Sequence, residues 1–85
     1  MSWDYKLTKQ ALNKLKKFPS NDVARLFVAL ENMKMSPYFG DIEKLRGEEN
    51  VWRRRVGWYR ILFAIFQTSH MIHVYDIKRR TSKTY

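Results

Sequence analysis

Apolar residues recur along this chain at two different periods. Trp3, Tyr5 and Leu7 alternate with Asp4 and Lys6, a period of two that predicts a short strand. The spacing then lengthens. Ala11, Leu12 and Leu15 share one face of a helix over about residues 9–17, and Thr8 can supply its N-cap oxygen. Phe18-Pro19 ends that helix, because the residue before a proline is pushed out of the helical region. Val23, Leu26, Phe27, Leu30 and Met33 form the buried stripe of a second helix. Ser20 is its N-cap candidate, Asp22 lies in its first turn, and Ser36-Pro37 follows its end near Met35. The two helices predict an antiparallel hairpin whose stripe is core.

Residues 37–50 break the periodicity and are punctuated by Pro37, Gly40 and Gly47, so they read as a long irregular connection with Leu45 tucked under the sheet. Period two returns in Val51–Val56, Tyr59–Phe66 and about residues 70–77, joined by Gly57-Trp58 and Gln67-Thr68-Ser69. The middle strand is apolar on both faces beyond Arg60, which predicts a central strand covered on both sides. The order β-α-α-β-β-β predicts an α+β fold: a two-helix hairpin on one face of a four-stranded antiparallel sheet, with residues 1–85 as one domain.

Chemistry enters through the first hairpin of that sheet. Gly57, at the first central position of a two-residue turn, supplies the positive φ of a type II′ turn. Counting outward pairs Val56 with Tyr59, Arg55 with Arg60, Arg54 with Ile61 and Arg53 with Leu62. Alternation then puts Arg53, Arg55 and Arg60 on one face. Like charges directly opposite each other destabilise a ladder, so something negative is expected between Arg55 and Arg60. The planar guanidinium fork suits phosphate. Arg54 shares the other face with Trp52 and Val56, and its stem must run to the edge.

Charge strengthens that reading. The 85-residue chain has a formal net charge of +9. Residues 1–43 hold seven Lys/Arg against five Asp/Glu, whereas residues 44–85 hold ten against three, ending in the basic segment Lys78-Arg79-Arg80 and a terminal Tyr85. A basic half on a small domain implies a polyanionic partner. Without cysteine there is no disulfide framework or thiolate metal site. His70 and His73 fall on opposite faces of a strand, carboxylates are scattered, and no cofactor motif is present, so neither metal nor cofactor is expected. No apolar run approaches ~20 residues and no signal peptide is apparent, so the expected location is the cytoplasm, off the membrane. Arginines with a tyrosine or histidine suit cleavage of a phosphodiester by the RNA's own 2′-hydroxyl. That reaction needs positioning, charge stabilisation and modest proton transfer. His73 is the nearby group whose ordinary pKa suits proton transfer, and Trp58 at the turn tip can stack on a base.

The ordered set Leu45-Arg46-Gly47, Trp52-Arg53-Arg54-Arg55-Val56-Gly57, Tyr59-Arg60-Ile61-Leu62-Phe63, Arg79-Arg80 and Tyr85 resembles the RelE/ParE toxin superfamily across essentially the whole chain. The resemblance implies a toxin of a type II toxin–antitoxin system, held inactive by a cognate antitoxin. In RelE-like members it implies an endoribonuclease that cuts mRNA in the A site of the 70S ribosome without metal; ParE-like members instead inhibit DNA gyrase and lack the RNase residues. Carried over by position, Arg60 matches the phosphate-stabilising arginine and Arg79 the second active-site arginine, with Arg80 an alternative one place on. Tyr85 matches the C-terminal tyrosine at the 2′-hydroxyl. Arg53 and Arg55 match basic residues of the second strand, and Lys78 and Arg80 add RNA-binding charge beside them. Some RelE enzymes carry lysine where Arg53 and Arg55 stand; arginine stays protonated, so neither residue is a general base here.

Overall fold

The computed structural model describes residues 2–47 and 50–79, in the order β1 (Asp4–Leu7), α1 (Lys9–Leu15), α2 (Ser20–Met33), β2 (Ile42–Lys44), β3 (Val51–Val56), β4 (Tyr59–Phe66) and β5 (Met71–Arg79). The α+β class and the helix pair agree with the periodicity, while the sheet differs from it. It has five strands in the order β1-β5-β4-β3-β2, and β1 runs parallel to β5, so it is mixed rather than antiparallel. The additional strand, β2, lies inside the stretch that reads as irregular. Three residues are too few to display alternation, and β2 forms because Ile42, Glu43 and Lys44 pair with Arg54, Arg53 and Trp52.

Thr8 fastens the first helix to the far strand. Its hydroxyl accepts from the Ala11 amide as an N-cap and donates to the Tyr75 carbonyl at 2.9 Å, while its own amide donates to Val74. The second helix starts one position earlier than its cap signal implies: Ser20 is its first helical residue, and Pro19 stands at the cap without a side-chain bond. Proline there has no N–H to leave unsatisfied. Its buried residues are Leu26, Ala29, Leu30 and Met33, whereas Phe27 is turned toward solvent.

Both helices lie on one face of the sheet. Ala11 and Leu15 of α1 and the α2 stripe pack against Tyr59, Ile61, Phe63, Ile65, Ile72, Val74 and Ile77 in one cluster. β4 is the middle strand, as expected, but its second face is not buried: Leu62 and Ala64 are half-buried and Phe66 is exposed. Phe66 lies against the His73 ring at 4.7 Å, and no second layer covers this face among the described residues. This open face carries Arg53, Arg55 and Arg60.

Asp76 shows how β5 is held to α1. Its carboxylate meets Lys14 Nζ at 2.9 Å and accepts from the Ile77 amide, next to an irregularity in the β4–β5 register at Leu62/Phe63. Burial pushes its pKa up, but the bonds from Lys14, Gln10 and the Ile77 amide outweigh burial and leave it below the ordinary aspartate value.

Candidate functional site

The β3–β4 hairpin has the register counted from its turn. Gly57 has φ 58, Trp58 stays at negative φ as a type II′ turn requires, and Val56, Arg55, Arg54 and Arg53 face Tyr59, Arg60, Ile61 and Leu62. On the next strand, Lys78 stands directly opposite Arg60. Directly opposed residues share a face, so Arg55, Arg60 and Lys78 form one cationic row across three strands. Strands are spaced by about 4.8 Å, so the row is about 10 Å long.

Sequence reasoning missed the two carboxylates beside this row. Asp41 Oδ2 accepts from Arg55 Nε at 2.9 Å, and Glu43 is ion-paired with Arg53 Nη2. The Asp41 carbonyl also accepts from the Arg55 amide, which fixes the approach of the loop before β2. Asp41, Glu43, Arg53, Arg55 and Arg60 together line a shallow depression of about 180 Å³. The negative charge expected near Arg55 is therefore supplied by the chain itself. The Arg60 side chain has no ion pair or hydrogen bond among the described residues, and the residue is half-buried within the row. The only advance signal for Asp41 and Glu43 was their spacing of two, as on one strand face, in a stretch whose pairing was invisible.

Arg54 points the other way, toward the helix side, and does not reach the edge as a free snorkel. Its Nη1 donates to the Phe39 carbonyl at 2.9 Å, and its buried Nε has no partner. Gly40, at φ 101, lies so close that a Cβ there would sit 2.6 Å from Arg54 Nη1. Arg54 thus clamps the loop that presents Asp41 to Arg55.

The tail residues divide. Lys78 joins the row. Arg79 pairs with Tyr59 and lies over its ring, 5.9 Å from the centroid, on the helix-facing side and away from Arg60. Tyr59 also packs on Phe18 and donates to Asp22 Oδ2 at 2.6 Å. Burial and the bond to Asp22 raise its pKa above the ordinary phenol value, against a lowering by Arg79 and Arg25, so it is a fixed neutral donor. Arg80 and Tyr85 lie outside the described residues. His73 is half-buried on the open face against Phe66, His70 stacks on Trp3 at 4.5 Å, and the Trp58 indole is exposed at the turn.

No protein-family model matches the chain. A putative toxin RelE1 from Methanocaldococcus jannaschii is 26% identical over 83 residues, covering 94% of this chain and 92% of that protein. The archaeal RelE–RelB complex of Pyrococcus horikoshii contains a chain that superposes with a TM-score of 0.82 at 23% identity, covering 98% of this chain and all of that one. In the toxin–antitoxin complex RelBE2 of Mycobacterium tuberculosis the TM-score is 0.86 at 21% identity, over 94% of this chain and all of the matched chain. In sequence and in fold the chain resembles the RelE/ParE toxin superfamily. The five-stranded sheet with its helix pair is thus a RelE-like fold, and the cationic row lies on the face of that fold opposite the helices. No helix among the described residues is long and apolar enough to cross a membrane.

Proposed function

We propose that this protein is the toxin of a RelBE-type toxin–antitoxin pair and acts as an endoribonuclease on mRNA in the ribosomal A site. The observation that carries this reading is Arg60. It is a half-buried arginine without a counter-charge among the described residues, flanked across the sheet by Arg55 and Lys78, on the open face of a RelE-like fold. Asp41 answers Arg55, but no acid among the described residues answers Arg60 or Lys78, and an anion bound there would relieve their repulsion.

In the reaction proposed, the 2′-hydroxyl attacks the adjacent phosphorus, the bond to the 5′-oxygen breaks, and a cyclic phosphate and a free 5′-hydroxyl result. Arg60 binds the non-bridging oxygens as charge builds on the phosphorane, where its fork acts without reorganising. Lys78 adds charge beside it, and Arg53 and Arg55 hold the flanking backbone. Tyr85 orients the 2′-hydroxyl, whose proton is lost to water as the new O–P bond forms, and the departing 5′-oxygen gains a proton from water. Arg79 serves the phosphate by leaving the Tyr59 ring, with Arg80 the alternative in the same role. None of the arginines moves a proton. The partner that restrains the activity is a RelB-type antitoxin, the kind of protein bound in the P. horikoshii and M. tuberculosis complexes.

Primer extension on a defined mRNA in a purified translation system tests the proposal. The expected result is cuts at A-site codons that appear only when ribosomes are present. Intact mRNA under both conditions, with inhibition of gyrase in a supercoiling assay, would replace it with the ParE-like reading.

A further inference from the structure

The depression holds three guanidinium groups and two carboxylates, so most of its positive charge is already answered. A carboxylate and a phosphate compete for the same guanidinium donors. Asp41 takes Nε of Arg55 and Glu43 takes Nη2 of Arg53, while Arg60 and Lys78 have no acidic neighbour of this kind among the described residues. Nor are the two acids loose surface groups. Glu43 is held opposite Arg53 by the β2–β3 register. Asp41 is held by its carbonyl bond to the Arg55 amide, and its loop is clamped by Arg54 against Gly40 and Phe39.

We infer that Asp41 and Glu43 are specificity-determining residues that compete with RNA phosphates for Arg55 and Arg53, keeping free RNA from binding. The face then engages only a strand that another body already holds in place. The arrangement suits this role because both Arg55 and Asp41 are well exposed, with side-chain exposures of 61% and 60%. Screened by water and salt, such a pair is weak enough to yield to a phosphate delivered at high local concentration. Against dilute RNA it still removes two of the contacts that non-specific affinity is built from. The inference rests on the proposal that this face binds RNA phosphate, and it adds to that proposal a reason for dependence on the ribosome.

The test is equilibrium binding of a short single-stranded RNA, without ribosomes, to the full chain and to D41N, E43Q and the double variant. Each freed arginine adds one phosphate contact, which steepens the dependence of log K on log salt by about 0.7. The double variant is expected to bind on the order of tenfold tighter at 0.1 M salt, with a slope steeper by about 1.4. In an R53A/R55A background the two substitutions should bring no gain. Unchanged or weaker binding by the double variant, with its melting temperature intact, overturns the inference, as does a gain that survives loss of both arginines. The cleavage assay judges the enzymatic proposal separately. Tighter RNA binding by the double variant, alongside a wild type that cuts nothing on ribosomes, would leave the competition standing and remove the ribonuclease.

Discussion

At the scale of single residues, the three adjacent arginines of β3 do three different things, and the difference lies in what each side chain meets. Arg53 and Arg55 point to the open face and meet Glu43 and Asp41; Arg54 points inward and holds a loop. Arg60, across from Arg55, meets neither acid. Arg60→Ala should therefore lower ribosome-dependent cleavage by about 10²–10³-fold, the usual effect of removing one transition-state donor, and leave the melting temperature unchanged. Arg60→Lys keeps the charge without the fork and should recover only part of the rate. A folded Arg60→Ala variant of full activity would sink the assignment. Alternation alone separates Arg54 from its neighbours, so that division was legible in the sequence. Which of the remaining arginines lacks a counter-charge was not, because Asp41 and Glu43 reach them through strand pairing.

At the scale of elements, legibility follows sequence separation. The β3–β4 hairpin could be counted residue by residue, since Gly57 sets its turn and every pair lies close along the chain. β1 and β5 pair across most of the chain length, and no local pattern announces a parallel partner. β2 escaped because its three residues are ordered by β3 and by the Arg54 clamp. Two predictions follow from these contacts. Gly40→Ala places a Cβ against Arg54 Nη1 at a backbone angle that disfavours side chains, and should cost about 1–3 kcal/mol in urea unfolding. Asp76→Asn removes the negative charge that pairs with Lys14 between α1 and β5. The native carboxyl titrates below its reference value of 3.8, so its contribution is complete above that pH and disappears as pH falls through the native pKa. Melting curves of wild type and Asp76→Asn should differ at neutral pH, begin to approach each other below pH 3.8, and converge once pH has fallen through the lower native pKa.

At the scale of the whole molecule, the net charge of +9 acts on folding and on binding with opposite signs. Like charges on a compact domain repel, so the folded state gains from screening. The ion pairs at Arg53 and Arg55 involve largely exposed acids and contribute little to stability that salt could remove. Binding of RNA instead releases counterions, and within the cationic row and the depression beside it the described cations without an acidic partner are Arg60 and Lys78. Two such contacts give a slope of about −1.4, so a fourfold rise in salt should weaken single-stranded RNA binding by about sevenfold. Over the same range the melting temperature should hold or rise. Calorimetry and fluorescence anisotropy on one preparation measure both. A melting temperature that falls with salt in the wild type but not in the D41N/E43Q double variant would mean that the ion pairs of the open face support the fold. Asp41 and Glu43 would then be structural acids rather than competitors for the arginines. A rise in melting temperature together with the loss of binding assigns the basic face to an external anion, because the fold alone has no use for charge that it is better off screening.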